Sequence, residues 1–276
     1  MLLDRPVIAF DIETVPDPEV GRRLLGLSGS DDSVIREMVR LRLEETGGQS
    51  EYPQAPWHRV VAICASMLGP KSGRVEIRSF GQEGDERSIL EGFFSTLRND
   101  KAAPRLVSWN GTGFDVPVMR YRSMLHGVTA PPFYRNEGEF RFRNYQNRYH
   151  DLHLDLMDVL SGYGASSRVG LANWSRTLGL PGKPFVERPI YDHVLHGELP
   201  RVVEYCKLDT LETLLAFLVY AHHVGDVTEE DLRKHVASIR TYIGTLPFEG
   251  WRMVEECLLD WPKWPARVAT AAGDPT

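Results

Sequence analysis

The first eighty residues carry three strand-like stretches. In "PVIAFDIET" (6–14) an apolar run turns acidic, as a strand does when it crosses a core and emerges at a polar end. "RVVAICASML" (59–68) is apolar and β-branched, and "GRVEIRSF" (73–80) alternates Val75 and Ile77 with Glu76 and Arg78. The "GPKSG" between the last two predicts a hairpin turn. Residues 19–46 read as helical, with Ser33 or Asp32 as N-cap of "DDSVIREMVRLRLEE" and Gly47-Gly48 as its stop. An amphipathic helix follows at "DERSILEGFFSTLRN", where Ile89, Leu90, Phe93, Phe94 and Leu97 share a face.

Beyond residue 100 strand and helix signals alternate. "RLVSWN" (105–110) is a fourth short strand running into a glycine turn, and a helix starts near Asp115. "HLDLMDVL" (153–160) reads as a short strand or helix start, and "VGLANWSRTLG" as a short helix ending at Gly179. Residues 199–223 form the longest helical pattern, with Pro200 in the first turn. Further helices fit 228–245 and 249–260, and Trp251, Trp261 and Trp264 are expected to pack them on the core. Strands on short connections, then alternation, predict an α/β fold: a mixed sheet flanked by helices, its acidic strand end near the middle.

Bulk properties narrow the function by exclusion. The chain has 276 residues, 42% of them hydrophobic, enough for one substantial core. It contains no run of about 18 apolar residues, so no membrane span is expected. Three widely spaced cysteines, Cys64, Cys206 and Cys257, fit neither a disulfide framework nor a zinc cage and suggest buried thiols in a reducing cytoplasm. The pairs His150/His153 and His193/His196 have zinc-like spacing but no cysteine or second pair to complete a site. With a net charge of −6, a nucleic-acid partner would need a local basic patch or metal ions.

Three acidic segments hold the candidate chemistry. Asp11 and Glu13 are two apart on a strand and so share a face, with Ile12 turned toward the core. Two carboxylates that close repel unless a proton or a cation lies between them. Asp-x-Glu recurs as Asp17-Pro18-Glu19, where proline argues for a loop without chemistry. In "WNGTGFD" (109–115), Asn110, two glycines and Phe114 lead to Asp115 at a strand-to-helix turn, where an Asp is also a common helix cap. Tyr205 and Asp209 stand four apart and so lie on one helix face, with Arg201 a turn earlier.

In order and residue type these segments resemble the three motifs of the DnaQ-like, RNase H-fold 3′–5′ exonucleases, in their DEDDy form. The motifs stand here as Asp11-x-Glu13, Asn110-x-x-x-Phe114-Asp115 and Tyr205-x-x-x-Asp209. Glu204 stands where the histidine form of the third motif would need His. The pattern is similar to the proofreading domains of family-B DNA polymerases, and the chain looks like their free-standing bacterial relatives.

The resemblance implies an RNase H-like five-stranded sheet, three antiparallel strands followed by parallel ones. It implies two Mg²⁺ or Mn²⁺ ions held by Asp11, Glu13, Asp115 and Asp209, with Tyr205 aiming the attacking water. A phenol titrates near 10, so orientation suits it better than general-base work at neutral pH. The expected reaction releases nucleoside 5′-monophosphates from the 3′ end of single-stranded DNA. An exoribonuclease on the same scaffold and a catalytically idle binding module are the alternatives.

Strand binding is expected from Asn110, Phe114 and the arginine/aromatic segment 133–150, chiefly Arg141, Arg143 and Tyr145, with Lys183 and Arg168 as further phosphate contacts. The alternation of Phe140/Phe142 with Arg141/Arg143 also fits an edge hairpin. Asp155 and Asp158 are expected to cap a helix or to support the ligands. By domain, 1–222 is the exonuclease unit with an insertion at 19–56, 223–265 a helical extension and 266–276 a disordered tail.

Overall fold

A computed structural model of the chain describes residues 2–69, 72–97, 103–149, 152–182 and 188–264. Its centre is β1 (Val7–Pro16), whose alternation feeds two cores. Val7 and Ala9 belong to one apolar cluster, while Ile8, Phe10 and Ile12 belong to another on the opposite face. β1 pairs antiparallel with β2 (His58–Leu68), and β2 pairs antiparallel with β3 (Val75–Ser79). On its other side β1 runs parallel to β4 (Arg105–Ser108), and β4 runs parallel to β5 (His153–Asp155). The five strands lie in the order β3-β2-β1-β4-β5, the mixed sheet expected from the sequence.

Helices cover both faces. α3 (Glu86–Phe94), α4 (Asp115–His126) and α5 (Pro131–Tyr134) supply Ile89, Phe93, Met119 and Phe133 to the core under Ile8, Phe10 and Ile12. The short α6 (Leu156–Leu160), α7 (Leu171–Thr177) and α8 (Ile190–Leu195) follow along the chain. The other face is covered by α9 (Leu199–His223), whose Leu211, Leu214, Leu215 and Leu218 are fully buried. α10 (Glu229–Ile243) and α11 (Glu249–Cys257) add Ile239, Ile243 and Trp251 to that same core. At 25 residues α9 is about 37 Å long and crosses β1 and β2. Trp251 and Trp261 are buried as expected, while Trp264 is partly exposed and packs edge-on against His222.

Two local readings change. The helical stretch after β1 is two helices, α1 (Pro18–Leu25) and α2 (Asp31–Glu45). Gly26 in the left-handed region ends the first, and Ser30, not Ser33 or Asp32, caps the second by accepting from the Ser33 amide. Residues 133–149 form no hairpin strand. Gly138–Arg141 is a single 3-10 turn in which Phe140 is buried, and Phe142 just after it is exposed. The alternation of Phe140/Phe142 with the arginines is therefore not a strand signal: the core takes Phe140, with Phe133 and Tyr145, and leaves Phe142 outside.

Among the described residues no helix is long and apolar enough to cross a membrane. Residues 266–276 lie outside the described residues.

Candidate active site

Asp11 and Glu13 continue the face of β1 that carries Val7 and Ala9, so they project toward α9. A bulge between Glu13 and Thr14 breaks the register with β2 just beyond them. α9 brings Asp209 opposite: Asp11, Glu13 and Asp209 each offer a carboxylate oxygen, and these lie within 4.8 Å of one another. Glu13 and Asp209 are buried, and Asp11 is half-buried. They line a cavity of about 850 Å³ shared with Asn110, Phe114 and Tyr205.

Asp115 comes from the opposite core to within electrostatic reach of Asp11, outside the three-acid cluster and the cavity lining. It is the first residue of α4, with Phe114 at the cap position, so Asp115 is not itself the N-cap. Burial raises the proton affinity of its carboxyl well above the ordinary range, and the nearby Asp11 charge raises it further. Hydrogen bonds from its own amide and that of Ile12 pull the other way.

The turn that aims Asp115 is explained residue by residue. Asn110 is left-handed at φ 67°, a conformation that Asn tolerates better than most residues. The two glycines leave little room: a Cβ on Gly111 would lie 2.4 Å from Ser108 Oγ, and one on Gly113, 2.6 Å from Asn110 Oδ1, would push the Asn110 side chain aside. Asp155 clamps the turn. It accepts from the Asn110 and Thr112 amides, both at 2.9 Å, and from the Thr112 hydroxyl at 2.6 Å, while capping α6. It therefore supports the turn, as expected, and Asp158 takes Thr112 Oγ1, Arg148 and Arg168.

Tyr205 is buried on the same helix as Asp209, and its hydroxyl accepts from Arg201 Nε at 2.7 Å. A phenol oxygen that accepts from a guanidinium keeps its own proton to donate. His193 packs edge-on to the ring and bonds Glu198 at 2.6 Å, which also holds Arg188.

Across the cavity stands an aromatic wall of which the sequence singles out Phe114 alone. Tyr52 stacks on His58, and both meet Phe114 edge-on. Burial lowers the proton affinity of His58. Its Nε2 faces the Pro53 carbonyl and must donate, so Nδ1 accepts from Thr14. Arg188, Ile190 and Tyr191 complete that side of the cavity.

Residues 50–255, three quarters of the chain, match the model of a family described as "predicted 3'-5' exonuclease related to the exonuclease domain of PolB". The chain belongs to this exonuclease family. The matched part of this family member includes Asp115, Tyr205 and Asp209 and begins after Asp11 and Glu13. Among solved structures it is similar to the family B DNA polymerase from the hyperthermophilic archaeon Pyrobaculum calidifontis, at 17% identity and a TM-score of 0.47. That likeness covers 91% of this chain and 29% of the polymerase chain. No curated protein matches this exonuclease-family chain.

Other expected contacts are placed elsewhere. Tyr145 is 2% exposed, stacks on Phe133 and donates to the Pro104 carbonyl, so its ring faces the core and not a base. Arg143 pairs with Asp4 before the start of β1, seven residues and so about 20 Å from Asp11 along an extended chain. Arg141 lies on the exposed Phe142 and does not line the cavity. Lys183 and His150 lie outside the described residues. His153 is buried against Ser108 and, desolvated, titrates only at about 4, so it stays neutral within the sheet. Cys64 and Cys206 are buried, with Cys206 under the Asp11 backbone, whereas Cys257 is half-buried.

Proposed function

We propose that this chain is a divalent-metal-dependent 3′–5′ exonuclease that removes nucleoside 5′-monophosphates from single-stranded DNA. The observation that carries this reading is the convergence of Asp11, Glu13 and Asp209 in one cavity, with the crowded carboxyl of Asp115 beside them. Four carboxylates from three elements form a hard oxygen donor set suited to Mg²⁺ or Mn²⁺. Asp11, Glu13, Asp115 and Asp209 would hold two such ions. When bound, the ions supply charge neutralisation at the phosphate and acidify water for hydrolysis.

The remaining residues have their own work. Tyr205, held by Arg201, directs its hydroxyl proton to the oxygen of the attacking water and orients it. Phe114 and Tyr52 offer ring faces and edges to a terminal base. A cavity of about 850 Å³ admits one nucleotide. The family's relation to a polymerase exonuclease domain favours DNA over RNA.

The test uses 5′-labelled single-stranded DNA and RNA of one sequence with Mg²⁺ or chelator. The expected result is a ladder shortening from the 3′ end of DNA, abolished by chelator. Asp11→Ala and Asp209→Ala are each expected to lose at least about a thousandfold, as removal of a group essential to the chemical step does. Degradation by both variants at the parent rate would overturn the assignment, and faster cleavage of RNA would overturn the DNA preference.

A further inference from the structure

One exposed cluster beside the cavity is not used by the reading above. Arg148 and Arg168 converge on the single buried carboxylate of Asp158, at 2.6 and 2.8 Å. The two guanidiniums share one carboxylate, so neither has it to itself. Each bond to Asp158 uses one guanidinium nitrogen, and the two side chains are 40% and 48% exposed. Two tyrosines stand over Arg148. Tyr149 and Tyr163 meet edge to face at 4.9 Å, and the Arg148 guanidinium lies 5.8 and 5.3 Å from the two ring centres. Both rings reach solvent, Tyr149 most of all.

The backbone adds an independent observation. Tyr163 sits at φ 59° between Gly162 and Gly164, which also have positive φ. A bulky residue in the left-handed region is strained, and glycine would serve that turn better. Strain of this kind persists where the side chain itself is needed, and it gathers at ligand sites.

The cluster is also joined to the cavity. Asp158 accepts from Thr112 in the turn that aims Asp115. Trp109 Nε1 donates to the Val169 carbonyl at 3.0 Å, fixing the chain between Arg168 and the cavity-lining Gly170 and Leu171. A cavity sized for one nucleotide leaves the rest of a strand to run over its rim, and this rim carries cations interleaved with aromatic faces.

We propose that Arg148, Arg168, Tyr149 and Tyr163 bind the single strand upstream of its 3′ end, the arginines on phosphates and the tyrosines on bases. The proposal rests on the exonuclease reading for its substrate, yet its test separates the two. Anisotropy of 5′-labelled oligothymidylates of about three and ten nucleotides is measured with the full chain in chelator. The parent is expected to bind the longer strand more tightly. The pair Tyr149→Ala/Tyr163→Gly is expected to weaken the ten-mer roughly five- to fiftyfold, from the loss of base stacking. Because Tyr163→Gly relieves the backbone, this variant should melt no lower than the parent.

Arg168→Gln leaves Arg148 on Asp158 and should reduce the salt dependence of ten-mer binding by about one phosphate contact, a readout that a structural role would not move. Should the tyrosine variant melt lower, Arg168→Gln decides. Equal parent affinity for both lengths, an unchanged ten-mer affinity in well-folded variants, or tighter binding of a blunt duplex would overturn the proposal. Length-dependent binding without hydrolysis in Mg²⁺ would uphold this surface and overturn the exonuclease reading alone.

Discussion

Asp115 is buried among acids at a cost to the fold. Burial first, and Asp11 second, make its carboxyl hold a proton above the ordinary carboxylate range. In the unfolded chain it ionises near 3.8, so between that pH and its raised native value the folded state binds the extra proton. Asp115 therefore costs the metal-free protein stability as pH rises through this window. Asp115→Asn removes the cost: in chelator at pH 7 it should melt a few degrees above the parent, with the gap closing below about pH 4. Its nuclease activity should fall at least about a hundredfold. A variant that melts below the parent under those conditions would show that the carboxylate is not under this strain.

At this scale Asp11/Glu13 and Tyr205/Asp209 were legible as same-face pairs from spacings of two and four, and Asp115 only through the joint likeness of the three segments to exonuclease motifs. Beyond Phe114 the aromatic wall was not legible. Tyr52 lies in a loop, His58 is the first residue of β2 and Tyr191 sits in the six-residue α8, so no local period aims the three at one cavity. Tyr145 was misread because arginine neighbours made a core tyrosine resemble a stacking platform.

Between residue and fold, the elements are aligned by buried polar clamps. The decoy pair Asp17-Pro18-Glu19 does have a role. Asp17 caps α1 by accepting from the Glu19 amide, and its second oxygen takes Arg122 Nη1 at 2.7 Å. Arg122, on α4, also chelates Glu86 at 2.7 and 2.6 Å, and Glu86 accepts from the Val60 amide of β2. One guanidinium thus ties α1, α3, α4 and β2 together, all three side chains being less than 10% exposed.

Arg122→Ala strands two buried carboxylates, and we expect a loss of about 3–5 kcal/mol in denaturant unfolding at pH 7. A loss under about 1 kcal/mol would mean that water replaces the guanidinium. Strands and long helices were readable from period and caps. These clamps were not, because the partners stand 36 and 105 residues apart and no local pattern joins them.

For the whole molecule, the sheet has a core on each face, and the site draws on both. Asp11 and Glu13 face α9, Asp209 is on α9, and Asp115 arrives with α4 from the other side. A divalent ion held by this set binds only the folded chain, so Mn²⁺ or Mg²⁺ at about 100 times its dissociation constant should add about 2.7 kcal/mol. That corresponds to a rise of several degrees in melting temperature. Scanning calorimetry of the parent and of Asp11→Ala/Asp209→Ala with and without the ion checks it. An equal shift in both would place the ion elsewhere.

The fold class and the central position of β1 followed from the order of strand and helix signals. The side of the sheet from which each acid enters did not, because packing sets it.

The spread of the carboxylates along the chain has a consequence in time. Asp209 is synthesised nearly two hundred residues after Asp11. At roughly 5–20 residues per second, the first pair waits about 10–40 s on the ribosome before its partner exists. A nascent chain holding only Asp11 and Glu13, or those with Asp115, has no closed cluster. On the exonuclease reading, the nuclease is thereby made in an unarmed form. It acquires its activity only as α9 leaves the exit tunnel.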